Sequence, residues 1–287
     1  MTIATITVGP VEVVALLDCD ADLDTPIIDA FPAAPPGRLL EMASTYPGIY
    51  GAGDVWHLFV RAWLVRHAGG TLLVDTGIGP ASAPAQQWFP RPGRLHDVLA
   101  EAGATADEVD TVVISHVHDD HVGGGVTDGG EPAFPHARYV LQRADLEAQR
   151  AWAADNDEDR VIWEVLVRPL EDAGVLDVIE GDLDLSEQLA LRHAPGHTPG
   201  HQVVFVDAGG DRLLLSADTW NHPAQLANPD WSSGTDVEPA LAASTRRALL
   251  ADMRAHEGTV VAPTHFAEAF GTITAEADEP AVWKPMR

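Results

Sequence analysis

Between positions 116 and 121 the chain places His116, His118, Asp119, Asp120 and His121, inside the run Ile114-Ser-His-Val-His-Asp-Asp-His-Val-Gly-Gly-Gly125. Imidazole nitrogens and carboxylate oxygens bind divalent transition ions, and a loop lets several of them converge on one point. His116 and His118 stand two apart, so an extended backbone aims both to the same side. Asp120 and His121 continue into a turn or helix start and can face a second ion. Gly123, Gly124 and Gly125 remove side-chain bulk where the backbone must bend tightly. A lone histidine is ordinarily packed or solvated. The spacing His-x-His-x-Asp-His behind the apolar run Val112-Val113-Ile114 instead points to a metal site.

Three further segments carry compatible chemistry. His197, framed by glycine and proline in Pro195-Gly-His-Thr-Pro-Gly-His201, is the natural third nitrogen for the ion at His116 and His118. His201 opens the next strand and is expected to pack or to brace a ligand. Asp218 ends the apolar strand Leu214-Leu-Ser-Ala, where an unpaired charge would be costly without a cation, and its carboxylate can bridge two ions. His265 follows a last apolar strand. Asp75, in Asp75-Thr-Gly77, is placed either to hold a loop or ligand histidine, or to cap its own turn.

The elements that must position these loops follow from periodicity and turn signals. Residues 1–17 read as two short strands broken at Gly9-Pro10. Residues 18–53, rich in Asp, Pro and Gly, read as an irregular arm across the domain surface. Strands are expected at 55–65, 71–75, 112–114, 137–141, 175–179, 189–193, 201–207, 212–217 and 259–263. Helices are expected at 95–102, 143–154 and 236–255, the last with Leu241, Ser244, Ala248 and Met253 or Leu249 facing inward. Two sheets packed face to face with helices outside would bury this pattern, with the ligands on loops at one edge. No internal repeat or linker divides the chain, so residues 1–287 read as one domain.

Composition narrows the partners. A formal net charge of −27 argues against nucleic acid and anionic membranes, both of which need basic surface, and favours neutral or cationic substrates. No apolar run is long enough to span a bilayer, and the N-terminus lacks the basic start of a signal peptide. Cys19 is the single cysteine, which excludes an internal disulfide and fits a reducing, cytoplasmic setting. The arm at 18–53 is the element that could exchange between subunits of a homodimer.

His116-Val-His-Asp-Asp-His121, then Gly196-His197, Asp218 and His265, in this order, resemble the metallo-β-lactamase superfamily over roughly residues 57–270. The resemblance implies a four-layer αββα sandwich, an α/β fold with two metal ions in its cleft. One ion would be held by His116, His118 and His197, the second by Asp120, His121 and His265, with Asp218 between them. It also supports a bracing role for Asp75. Zinc is the default cofactor, while iron, manganese or cobalt fit the same ligands. In a two-ion site a bridging hydroxide attacks a carbonyl or phosphoryl centre, and Asp120 can orient it and relay its proton.

Subtraction narrows the chemistry. The bridging Asp218 is unlike true β-lactamases, and few cations follow His265 to hold glutathione as glyoxalase II does. His118 differs from the glutamate of flavodiiron proteins. What remains resembles the N-acyl-homoserine lactonase and methyl parathion hydrolase branch, in Ser216-Ala-Asp-Thr-Trp-Asn-His-Pro-Ala-Gln225, Pro229-Asp-Trp231 and Thr245-Arg246. Lactonases of that branch often carry a tyrosine three positions after the bridging aspartate. Here Asn221 stands there with His222 next, and either can donate a hydrogen bond to a substrate carbonyl. Of the tryptophans near predicted loops (Trp88, Trp152, Trp220, Trp231), Trp220 is the one expected to line the pocket, with Phe266 beside His265. The expected activity is opening of a lactone or cleavage of a carboxylic ester. Phosphotriester hydrolysis, or a non-catalytic metal-bound binding protein, is the alternative.

Overall fold

Alternation decides the layering. Along Leu72-Leu-Val74 the first and third side chains leave one face of the strand and the second leaves the other. The computed structural model, which describes residues 3–274 and 279–286, buries all three. Leu72 and Val74 pack toward a second sheet, and Leu73 packs under helices. Met1 and Thr2, at the start of the first expected strand, lie outside the described residues.

Among the described residues the strands form two seven-stranded sheets. The first runs β1 (Ile3–Val8), β2 (Val11–Pro26), β3 (Val55–His67), β4 (Gly70–Val74), β5 (Thr111–Val113), β6 (Arg138–Gln142) and β7 (Leu176–Ile179) in sequence order. The second contains β8 (Leu183–Asp184), β9 (Leu189–His193), β10 (Gln202–Ala208), β11 (Asp211–Ala217), β12 (Val260–Pro263), β13 (Gly271–Thr274) and β14 (Val282–Pro285). The first is antiparallel up to β4 and parallel from there to β7; in the second, only β11 and β12 pair in parallel.

Val13, Trp63, Val65, Val113 and Val140 of the first sheet meet Leu191, Val204, Val206, Leu213 and Leu215 of the second. On the outer face of the first sheet, Leu64, Val112 and Tyr139 pack against Leu95, Val98 and Leu99 of the helix Leu95–Glu101 and Leu146 of the helix Arg143–Asp155. On the outer face of the second, Val203, Phe205 and Val261 pack against Leu250 and Met253 of the helix Pro239–Ala255. The αββα order is therefore present. The ligand loops leave β5, β9, β11 and β12 at one edge of it.

Three details differ from expectation. β2 runs on to Pro26, well inside the segment expected to be irregular, because Cys19, Ala21 and Leu23 find a second apolar cluster beside β3. The rest of the arm folds into short helices at Ile27–Ala30 and Pro36–Glu41 and two tight turns. It is not a surface strap: Ile27, Phe31, Leu39 and Ile49 are each no more than 1% exposed. The inward stripe of Pro239–Ala255 is Ala242, Ala243, Arg246, Leu250 and Met253, whereas Leu241, Ser244 and Ala248 face outward. The helix is rotated because it buries a guanidinium, a residue that hydrophobic periodicity assigns to the solvent side. Residues without a clear pattern near 163–170 wind as a π-turn, Trp163–Val167, into the helix Arg168–Asp172.

Candidate metal centre

After β5 the backbone turns, and the short helix Asp119–Val122 begins from an extended His118. The loop is pressed against the Asp75-Thr-Gly77 turn. A Cβ on Gly123 would stand 2.2 Å from the Ile78 carbonyl oxygen, and one on Gly124 would stand 2.4 Å from that of Thr76. Only glycine permits this approach. Asp75, held at φ 63°, accepts from the Ser115 N–H and hydroxyl, both at 2.8 Å, and from His121 Nδ1 at 2.8 Å. It is a brace for the loop and for one ligand histidine.

Asp145, in the first turn of the helix Arg143–Asp155, is 1% exposed. One oxygen accepts from Val117 N–H (2.9 Å) and the Thr198 hydroxyl (3.0 Å), the other from Gly200 N–H (2.5 Å). It ties the His116–His118 segment to the loop carrying His197. Burial raises its pKa, opposed by those three donors. Asp236 does similar work from the other side. Its Oδ1 accepts from His197 Nδ1 at 3.1 Å, and its Oδ2 takes Ser233 N–H and the buried guanidinium of Arg246. Arg246 also donates to the carbonyls of Thr219 and Pro229, both at 2.9 Å. Here the Pro229 and Thr245-Arg246 segments find their use. The signal for both acids was weak, because a carboxylate in a helix turn or polar loop is usually solvated.

Asp218 follows Ala217, whose φ is 41°, at a register shift between β11 and β12. Such strain at a strand end re-aims the next side chain. Asp218 N–H donates to His201 Nε2 (3.1 Å), which leaves His201 Nδ1 to donate to the Ala194 carbonyl (2.9 Å). His201 therefore braces the backbone at Asp218, a candidate ligand. Burial first, then the neighbouring His197, pushes its pKa down to about 3, so it stays neutral.

The ligand atoms converge. His118 Nδ1 lies 3.0 Å from His116 Nε2 and 3.1 Å from His197 Nε2. His121 Nε2 lies 3.6 Å from Asp120 Oδ2, and His265 Nε2 lies 3.6 Å from the same oxygen. Asp218 stands between the groups, with Oδ2 3.3 Å from His197 Nε2, and Oδ1 3.2 Å from His121 Nε2 and 3.0 Å from His265 Nε2. Two ligand atoms on one tetrahedral ion at ~2.1 Å bonds sit roughly 3.4 Å apart, so this spacing suits shared cations. Among the described residues, three triads bring their ligand atoms within 4.8 Å of one another: His116/His118/His197, His116/His121/Asp218 and Asp120/His121/His265.

The electrostatics agree. Burial, then neighbouring imidazoles, holds His116 and His118 well below the usual histidine range, so their lone pairs remain free. Burial would also push His121 down, but the carboxylates of Asp218, Asp120 and Asp75 outweigh it and hold it well above that range. A field that draws a proton there draws a cation too. His121 Nε2 and Asp218 Oδ1 are buried without a hydrogen-bond partner, a costly state that a cation between them relieves.

The remaining candidates divide. Asn221 donates through Nδ2 to Asp218 Oδ2 at 2.7 Å, so its amide is engaged by a ligand. His222 is turned elsewhere: Nδ1 accepts from Ala224 N–H at 2.9 Å, and the rings of Phe31, Tyr46 and Tyr50 pack edge-on around it. Burial alone lowers its pKa to about 3. Trp220 and Phe266 pack in the cluster beneath the helix Pro239–Ala255 and do not form an open aromatic wall. Trp88 is the tryptophan at the rim: 39% exposed, it donates to Asp119, the neighbour of Asp120, at 3.0 Å.

The metallo-beta-lactamase superfamily profile matches residues 55–265. An N-acyl homoserine lactonase of a Bacillus species is 26% identical over 226 residues, covering 74% of this chain and 84% of its own. AidC, described as a dizinc quorum-quenching lactonase, superposes with a TM-score of 0.84 at 21% identity, covering 99% of this chain and 97% of its own. AbOPH, a hydrolase described as belonging to the beta lactamase superfamily, superposes at 0.85 with 21% identity over 100% and 98% of the two chains.

Proposed function

The chain belongs to the metallo-β-lactamase superfamily, and from that premise we propose that it is a dinuclear metal-dependent hydrolase that opens a lactone or cleaves a carboxylic ester. The observation that carries the reading is the convergence of seven side chains, from His116 to His265, into two triads with Asp218 between them, 3.3 Å from His197 Nε2 and 3.2 Å from His121 Nε2. The first ion would be held by His116, His118 and His197, and the second by Asp120, His121 and His265. When bound, two divalent ions supply Lewis acidity toward the scissile carbonyl and lower the pKa of the attacking water. Zinc is the first choice for both.

The protein's own groups do the rest. Asp145 and Asp236 hold the two histidine loops, Asp75 holds His121, and Asn221 orients Asp218. Asp120, 8% exposed, takes the proton that the attacking water loses and returns it to the departing alkoxide oxygen. Position 221, where a tyrosine would donate to substrate, belongs in this reading to the bracing of Asp218, and His222 to the packing of the arm. The N-terminal hairpin completes the first sheet, which supports treating residues 1–287 as one domain.

The similar lactonases make an N-acyl homoserine lactone the first substrate to test. No helix among the described residues is long and apolar enough to cross a membrane. A lactone, a nitrophenyl ester and a phosphotriester, each assayed with and without chelator, separate the readings. Chelator-sensitive turnover of the lactone or ester is expected. Chelator-insensitive turnover, or none on the panel, would refute metal-dependent hydrolysis, and turnover of the phosphotriester alone would reassign the substrate.

A further inference from the structure

We infer that Arg61 decides whether the second triad, Asp120/His121/His265, can hold its ion, as a positioning residue acting on His265 from the opposite sheet; the inference rests on the two-ion reading above. Phe59 and Arg61 stand two apart on β3, with the Arg61 guanidinium 5.0 Å from the centre of the Phe59 ring. The Phe59 carbonyl accepts from His265 Nδ1 at 2.6 Å, which aims Nε2 at Asp218 and Asp120. Arg61, 4% exposed, donates from Nη1 to the carbonyls of Thr264 (3.0 Å) and Phe266 (2.5 Å), and from Nη2 to that of Ala267 (2.8 Å). One rigid planar fork therefore grips the backbone on both sides of His265.

Strand pairing does not supply that grip. β3 and β12 belong to different sheets, so no ladder of strand hydrogen bonds joins them. Residues 264–270 between β12 and β13 form no helix or strand that would fix His265. The other two members of the triad come from the helix Asp119–Val122, where Asp75 braces His121 instead. The first triad hangs on Asp145 and Asp236, and Arg61 reaches neither. Burial lowers the Arg61 pKa to about 10, opposed by the nearby Glu268 and Asp20, so the group is still charged at neutral pH. A lysine in its place keeps a charge but cannot hold three carbonyls in one plane.

The test is zinc binding by the purified full-length chain in competition with a chromophoric chelator. His265→Ala and His118→Ala identify the two sites, and thermal melting is followed in parallel. Wild type is expected to bind two ions. Arg61→Lys should weaken by about tenfold or more the site that His265→Ala abolishes, and leave the other within about twofold. Arg61→Met should do the same more strongly; if it fails to fold, Arg61→Lys decides the matter. Two sites weakened equally, or both retained at wild-type affinity, would overturn the role of Arg61 while leaving the two-ion reading intact. A wild type that binds fewer than two ions would overturn both.

Discussion

Replacing Asp145 by asparagine should loosen the first metal triad without touching any of its members. The carboxylate accepts three hydrogen bonds from two loops, and both of its oxygens are committed. An amide has one oxygen. Aimed at Val117 N–H and the Thr198 hydroxyl, it turns its NH2 toward Gly200 N–H, which lies 2.5 Å from the present oxygen. Donor then faces donor in a buried place, at a cost of about 1–3 kcal/mol. Relief from burying a carboxylate offsets part of this, because burial already raises the Asp145 pKa. A net loss of about 2 kcal/mol, or roughly 3 °C in Tm for a domain of this size, is expected. The larger effect falls on metal. With the loop of His197 no longer tied to that of His118, zinc affinity at the first site should drop by roughly 10–100-fold. Chelator competition and a melting curve on the same sample measure both. An unchanged zinc affinity beside a lowered Tm would refute the reasoning, since it would make Asp145 a packing residue with no hold on the ligands.

Two other perturbations follow from the same kind of argument. Arg246→Met leaves Asp236 buried without its guanidinium, and breaking such a pair costs about 3–5 kcal/mol. Urea unfolding should show that loss, whereas Leu241→Gln on the exposed turn of the same helix should stay within about 0.5 kcal/mol of the parent. Asp18 is a buried acid accepting from Ile78 N–H (2.9 Å) and Arg94 N–H (2.5 Å), and burial lifts its pKa to about 6. A raised carboxyl stabilises the fold below its unfolded value near 3.8, and that contribution is lost as pH rises through 6. The gap in unfolding free energy between Asp18→Asn and the parent, both metal-free, should move by about 3 kcal/mol toward the variant between pH 3.5 and 7.5. A gap that stays constant with pH would show that folding does not shift the Asp18 pKa.

Much of this protein can be read from its residues alone. Period-two runs such as Leu72-Leu-Val74 and Leu213-Leu-Leu-Ser216 identify buried strands, because a pleated strand sends alternate side chains to opposite faces. The candidate ligands are legible too. A histidine or aspartate at the end of an apolar strand is out of place unless something charged meets it, and that holds for His116, Asp218 and His265 alike. Asp75 carried a signal of the same kind, weaker because a turn cap needs the same residue.

Only the tertiary structure could decide what stands behind them. Asp145, Asp236 and Arg246 look like solvated surface in the sequence, since helix periodicity counts a charge as outward. They are buried because loops far apart along the chain bring donors and acceptors to meet them. The arm read as surface because Pro and Gly break regular structure without saying where the apolar residues between them go; Phe31 and Ile49 find partners on β3 and around His222. The two expected substrate-binding donors show the same limit: Asn221 is drawn to Asp218 and His222 into aromatic packing, a division set by the turn after β11. Ligand identity is a property of each residue's own chemistry and its place at a strand end, whereas bracing depends on distances between segments that only folding brings together.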